Sequence, residues 1–468
     1  MSAPRLSEFI KAYDVRGLVP DQLNEAVAFA IGSAFAQVVA RPDGATSIVV
    51  GHDMRPSSPA LSRAFAEGVA SEGLDVTLIG LCSTDGLYYA SGALDVPGAM
   101  FTASHNPAQY NGIKLCRAGA APVGQRTGLA DIQALVEVGV PDYDGPPGTV
   151  SERDVLGDYA DRLKGLVDLS GNRPLTVAVD AGNGMAGYTA PVVFSGLPLQ
   201  ILPMFFELDG TFPNHEANPI EPANLVDLQA KVRASGADLG LAFDGDADRC
   251  FVVDELGAIV SPSTLTALIA ARELSRVPGA TVIHNLITSR SVPEVVRENG
   301  GTPVRTRVGH SFIKQVMAET GAVFGGEHSG HFYFRDFWRA DSGMLAALHV
   351  LAALGEAPEG TSLSSLLAPY DRYVGSGEIN STVADAAERA RVVEQTFAGV
   401  DGVTLDHLDG LTVSARDWWF NLRTSNTEPL LRLNVEAADI EQLAVIRDRV
   451  LALVRGTSDD LVSVGESA

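Results

Sequence analysis

The chain has 468 residues with 34 Lys+Arg against 58 Asp+Glu, and its net charge of −24 argues against nucleic acid or an anionic membrane as a general partner. At roughly 100–200 residues per domain, this length calls for three or four domains. Three dispersed cysteines, Cys82, Cys116 and Cys250, make neither a disulfide framework nor a zinc knuckle, and no apolar stretch is long enough to span a bilayer, so a reducing cytoplasm is expected.

In chain order, residues 22–40 read as a helix, 47–51 as a strand, 59–70 as a helix, 74–79 as a strand and 85–91 as a helix. The apolar run 96–101 reads as a buried strand that Asn106-Pro107 must end. The alternation is that of a doubly wound α/β layer. Residues 140–148, rich in turn formers, are a linker. A second unit follows, with strands 175–179, 199–205 and 239–243 and helices 185–194 and 225–234. A third begins after Asp254-Glu255-Leu256-Gly257, with helices 263–275, 292–298 and 311–319 and strands 281–284 and 322–324. From about Pro369 strands dominate, at 370–379, 403–406, 411–414, 418–422 and 430–435, closed by a helix over 441–454. A smaller α+β domain is expected there.

Five loops carry candidate chemistry. Thr102-Ala103-Ser104-His105-Asn106-Pro107 sets a serine hydroxyl on a turn at a strand's carboxyl end, where open α/β sheets keep their ligand sites; Ser104 is a candidate nucleophile or part of an ordinary turn. Asp244-Gly245-Asp246-Ala247-Asp248-Arg249 follows a strand and offers three carboxylates at alternate positions, whose repulsion a divalent cation such as Mg²⁺ would relieve. An EF-hand would need glycine where Arg249 stands and a helix where 239–243 reads as strand. Gly182-Asn183-Gly184-Met185-Ala186-Gly187 fits the dinucleotide fingerprint, yet Asp180 would oppose a pyrophosphate, and a tight structural turn is preferred. Gly325-Gly326-Glu327-His328-Ser329-Gly330-His331 suits a polyhydroxylated ligand and proton exchange. Arg423-Thr424-Ser425-Asn426-Thr427-Glu428-Pro429 offers a guanidinium, hydroxyls and exposed N–H groups, as a phosphate cradle needs. Tyr13-Asp14-Val15-Arg16-Gly17, Asn111-Gly112-Ile113-Lys114 and Gly309-His310-Ser311, leading to Lys314, are further motif-like positions.

With these loops in this order, the chain resembles the α-D-phosphohexomutase superfamily, most closely its phosphomannomutase/phosphoglucomutase branch. The resemblance implies three related mixed α/β domains (1–148, 149–254 and 255–367) and a TATA-binding-protein-like α+β domain (368–468) around a central cleft. It implies a phosphoserine at Ser104, Mg²⁺ held by Asp244, Asp246 and Asp248 against its phosphate, and proton transfer by Lys114 and His331. Arg16 and Arg249 would stabilise the moving phosphoryl group. Glu327, Ser329 and His310 would bind the sugar, and Arg423, Ser425, Asn426 and Thr427 the phosphate that is not moving. The implied reaction moves phosphate between O1 and O6 of a hexose through a hexose 1,6-bisphosphate, in a monomer or dimer whose partners are sugar phosphates. Two departures stand out: His328 replaces the Met of many relatives, and no lysine lies near His284-Asn285-Leu286. Asn426 and His328 favour mannose and glucose phosphates over glucosamine phosphate. A serine-nucleophile sugar phosphatase, a dehydrogenase and a non-catalytic sugar-phosphate sensor are the rival readings.

Overall fold

The computed structural model describes residues 6–11, 13–424 and 430–456, the side chains of residues 310 and 311 excepted. Four sheets stand in sequence. In the first, Ser47–His52 pairs in parallel with both Asp75–Leu81 and Gly98–Phe101; Gly98–Phe101 then pairs antiparallel with Tyr110–Arg117, and that strand with Val15–Leu18. The second sheet repeats the pattern: Leu175–Asp180 lies parallel to Leu199–Met204 and Leu239–Phe243, followed by the antiparallel strands Cys250–Asp254 and Ile259–Val260. The third repeats it again with Thr281–Asn285 between Thr302–Thr306 and Phe324–Gly326, then Phe332–Phe334 and Ala340–Asp341. The alternation read from sequence thus gives mixed sheets with one four-strand topology used three times. The outer antiparallel strand comes from the N-terminal side in the first and from the following segment in the other two.

That repetition positions the site. In each unit the connection between the last parallel strand and its antiparallel neighbour carries one of the candidate loops: Thr102–Pro107 in the first, Asp244–Arg249 in the second, Glu327–His331 in the third. The fourth sheet is wholly antiparallel, running Val374–Thr382, Leu430–Ala437, Trp418–Thr424, Leu411–Ser414 and Thr404–Asp406, with helices Ala386–Phe397 and Ile440–Arg455 packed on it. The first sheet also takes in Val150–Glu152 and the second Ile259–Val260, a few residues past the expected boundaries.

Among the described residues five helices escaped the sequence pattern: Leu129–Val138, Leu156–Leu166, Gly343–Glu356, Leu363–Leu367 and Ala386–Phe397. Gly343–Glu356 is instructive, since nearly every residue is buried and a helix apolar all round has no 3.6-residue stripe to detect. It fills a core shared by the second and third domains, to which Tyr88, Cys116 and Ala120 of the first also contribute; the first and fourth have further cores of their own. The helix read over 22–40 is α-helical at Glu25–Phe35, started by the Asn24 side chain accepting from Val27 N–H, and continues as a π turn over Ala36–Ala40.

Candidate active site

Ser104 sits in the left-handed region at φ +48°, as does Ala247 of the carboxylate loop at φ +59°. A non-glycine residue there costs on the order of 1–3 kcal/mol, so the surroundings must enforce it. Arg55 does so for the serine loop. Its guanidinium, wholly buried, donates to the carbonyls of Ser104 (2.9 Å), Asn106 (2.6 Å), Pro107 (2.9 Å) and Tyr110 (2.9 Å), and its Nε lies 3.2 Å from Asp53 Oδ2. The Thr102 hydroxyl accepts from Ser104 N–H at 2.9 Å. From the other side Gly245 presses on the loop, its backbone so close that a Cβ would meet Ser104 O at 2.4 Å.

This packing brings Ser104 Oγ to Asp244, donating to Oδ2 at 2.6 Å. Arg249 donates to the same oxygen from Nε at 2.9 Å and to His105 Nδ1 from Nη2 at 2.6 Å, with Ser104 Oγ 3.4 Å away. Burial, then the charges of Arg249 and Arg16, push His105 down to about 2, which leaves its imidazole neutral and able to accept. Arg16 donates to Asn106 Oδ1 and to Asp14, both at 2.6 Å, and stands beside the serine.

Asp244, Asp246 and Asp248 are buried, with carboxylate oxygens within 4.8 Å of one another. At that separation and an effective dielectric of about 20, each like-charge pair costs roughly 3–4 kcal/mol. Burial, with the charges of Asp248 and Asp246 added against Arg249, pushes Asp244 up to about 7. Lys114 offsets part of the charge by donating to Asp246 at 2.7 Å and Asp248 at 2.6 Å. Burial alone would lower the Lys114 pKa, but these two carboxylates raise it well above the ordinary value. The Thr84 hydroxyl also donates to Asp246, at 2.6 Å. Asp246 Oδ1 and Asp248 Oδ1 are buried without a hydrogen-bond partner among the described residues. Hard, anionic oxygens with unused lone pairs are a donor set for a divalent cation.

The third domain completes the wall. An antiparallel bridge joins Arg249 to His331, and Cys250 N–H donates to Gly330 O at 3.2 Å. His331 Nδ1 lies 3.1 Å from Asp341 Oδ2 and 3.8 Å from Asp248 Oδ1, and Lys314 Nζ is 2.7 Å from Asp341 Oδ1. Burial opposes the imidazolium, but Asp248 and Asp341 outweigh it and raise the His331 pKa. Glu327 accepts from Tyr333 Oη at 2.8 Å, Asn285 Nδ2 at 3.3 Å and Gly309 N–H at 3.3 Å. Ser329 is half-buried in the same turn. A cavity of about 100 Å³ is lined by Arg16, Ser104, Lys114, Asp248, Arg249 and His331 together.

Other expected site residues lie elsewhere. Arg423 belongs to the fourth sheet, paired with Glu378 at 2.9 Å. His328 points toward that domain, lining a cavity with Trp419 and Asn434; burial lowers its pKa, and so does the charge of Arg423. Ser425, Asn426, Thr427 and the His310 side chain lie outside the described residues. The Gly182–Gly187 turn serves packing: a Cβ on Gly184 would meet Gly245 O at 2.7 Å and one on Gly187 would meet Phe206 O at 2.2 Å. It buttresses the carboxylate loop, and the strand before that loop excludes an EF-hand. The sequence reading missed Arg55, Asp53, Thr84, His105 and Asp341. Asp53-Met54-Arg55-Pro56-Ser57-Ser58, a polar loop directly after a strand, was the available signal for the first two.

A serine hydroxyl set against clustered carboxylates and arginines, at the meeting of three related domains, has the makings of an apparatus for moving phosphoryl groups. Family models agree. Phosphoglucomutase/phosphomannomutase alpha/beta/alpha domain I matches residues 8–138, domain II 157–257, domain III 261–373 and the C-terminal domain 378–453. A phosphomannomutase of Escherichia coli is 40% identical over 460 residues, 95% of this chain and 98% of that one. A phosphomannomutase/phosphoglucomutase of Pseudomonas putida is 37% identical, covering 94% and 93%. The solved structure of a phosphoglucomutase/phosphomannomutase family protein from Burkholderia thailandensis superposes with a TM-score of 0.86 at 34% identity, covering 96% of this chain and 98% of that one. The chain belongs to the phosphoglucomutase/phosphomannomutase family, and it is a phosphohexomutase, an isomerase that works by phosphoryl transfer.

Proposed function

We propose that the chain interconverts hexose 6-phosphate and hexose 1-phosphate, of mannose and also of glucose, through a phosphoserine at Ser104 and a hexose 1,6-bisphosphate that turns around in the cleft. In the first half-reaction the Ser104 Oγ–P bond breaks as a bond forms from phosphorus to a sugar hydroxyl, whose proton passes to a protein base. In the second the sugar's other phosphate returns to Oγ and a proton is restored to the freed hydroxyl. The observation that carries this reading is the 2.6 Å contact of Ser104 Oγ with Asp244 inside the carboxylate and arginine cluster.

Asp244, Asp246 and Asp248 would hold Mg²⁺ together with a phosphate oxygen on Ser104, and when bound the ion supplies positive charge beside the transferring group. Arg249 and Arg16 spread further positive charge there. His331, oriented by Asp341, and Lys114 exchange protons with the sugar hydroxyls. Glu327, Ser329 and His310 bind the sugar ring, and Arg423, Ser425, Asn426 and Thr427 grip the distal phosphate. Every proposed group comes from one chain, so a monomer suffices; a cytoplasmic setting accords with the buried free thiols of Cys82, Cys116 and Cys250. Among the described residues no helix is long and apolar enough to cross a membrane.

Magnitudes say why so many groups are needed. Phosphate monoesters can demand acceleration of ~10²¹, about 29 kcal/mol. Acid–base help gives roughly 10²–10⁴ and positioning roughly 7–11 kcal/mol, leaving charge stabilisation a large share. A coupled assay comparing mannose 1-phosphate, glucose 1-phosphate and glucosamine 1-phosphate, with and without Mg²⁺, tests the reading. Metal-dependent turnover of the first two is expected. Preference for glucosamine phosphate would move the chain to the phosphoglucosamine branch, and steady release of inorganic phosphate would make it a phosphatase.

A further inference from the structure

A second cavity, of about 510 Å³, lies where the first and third domains meet and shares only Tyr13 and Pro122 with the catalytic cavity. Phe312 and Trp338 give it an aromatic wall, while its charged residues are all cationic: Arg117, Arg126, Lys314 and Arg339. In a chain of net charge −24, a pocket with no lining carboxylate among the described residues is a local inversion of the field. Arg117 and Lys314 are engaged by Asp43 and Asp341, but Arg126 and Arg339 are exposed and have no ion pair among the described residues. A second observation is independent of the charge. Trp338 and Arg339 are consecutive non-glycine residues at φ +54° and +58°, and the strained backbone delivers one as wall and the other as cation at the same mouth.

We propose that this cavity binds a small amphipathic anion, an apolar or aromatic body carrying one carboxylate, sulfonate or phosphate. Its volume falls in the range of small-molecule sites, its apolar lining takes the body, and Arg126 and Arg339 take the charge. The ligand bridges two domains and rests against Lys314, whose Nζ is 2.7 Å from Asp341, the partner of His331. The cavity lies behind the cleft, and its occupant does not enter it.

The test is a fluorescence titration of the full chain with 1-anilinonaphthalene-8-sulfonate, an aromatic anion. Saturable one-to-one binding is expected, unchanged by a saturating hexose phosphate. The double variant Arg126→Glu/Arg339→Glu should weaken it roughly tenfold or more, and Ala318→Trp, which fills the cavity from an exposed helix position, should abolish it, both with wild-type mutase turnover as proof of folding. Binding unaltered in both variants, or displaced one-for-one by hexose phosphate, overturns the proposal.

Discussion

Ser104 and Asp244 stand 140 positions apart in the chain, yet the serine hydroxyl donates to the aspartate Oδ2 at 2.6 Å. The contact spans two domains and depends on two glycines: Gly245 lets the carboxylate loop lie on Ser104 O, and Gly184 lets the next turn lie on Gly245 O. A side chain at either would force the serine and the carboxylates apart.

Removing the hydroxyl should remove the reaction. Ser104→Ala is expected to lower kcat on the order of 10⁶-fold, as loss of a nucleophile does elsewhere. Intact-mass measurement should show a fraction of the wild-type protein one phosphate heavier, absent in the variant. No added mass at Ser104 after incubation with a hexose bisphosphate would contradict the phosphoserine.

Arg55 touches no reacting atom but holds four carbonyls of the serine loop. Arg55→Lys keeps the charge and loses the fork, so at most some of these bonds survive. Because a misplacement near 1 Å can cost ~10²-fold, kcat should fall by about that factor with KM little changed. Arg55→Ala leaves Asp53 as an unpaired buried charge and should cost roughly 3–5 kcal/mol in denaturant unfolding.

The crowded carboxylates predict a cation-dependent melt. Mg²⁺ at ~100 times its Kd should stabilise the fold by about 2.7 kcal/mol, and Asp246→Asn/Asp248→Asn should lose that increment together with activity. EDTA should abolish turnover, and Mg²⁺ should restore it. A melting temperature indifferent to Mg²⁺ would count against the site.

His284, which does not line the catalytic cavity, gives a pH dependence of its own. Burial pushes its imidazole down to about 4, with Nδ1 3.0 Å from Asn285 O. The unfolded chain binds the proton more tightly, so this contribution is fully present above pH 6.5 and is lost as pH falls from there toward 4. By pH 5 the loss is roughly 2 kcal/mol. Denaturant unfolding at pH 7.5 and 5 should therefore show a drop smaller by about that amount in His284→Val.

The local pieces are legible in the order of residues alone. Apolar runs of four to six residues ending in Gly, Asn or Asp marked the strands and their loops, and three acids at alternate positions marked the carboxylate loop, because strand burial and turn chemistry are short-range. It did not show helix Gly343–Glu356, whose apolar surround leaves no periodicity, nor Arg55, whose four acceptors are main-chain carbonyls invisible to any pattern of side chains. It is the packing of three sheets of like topology that turns the serine loop, the carboxylate loop and Glu327–His331 toward a common point. Convergence is a property of domain packing, here of backbone approaches at Gly184, Gly245 and Gly343 that tolerate no Cβ, and such approaches form between segments the sequence keeps far apart.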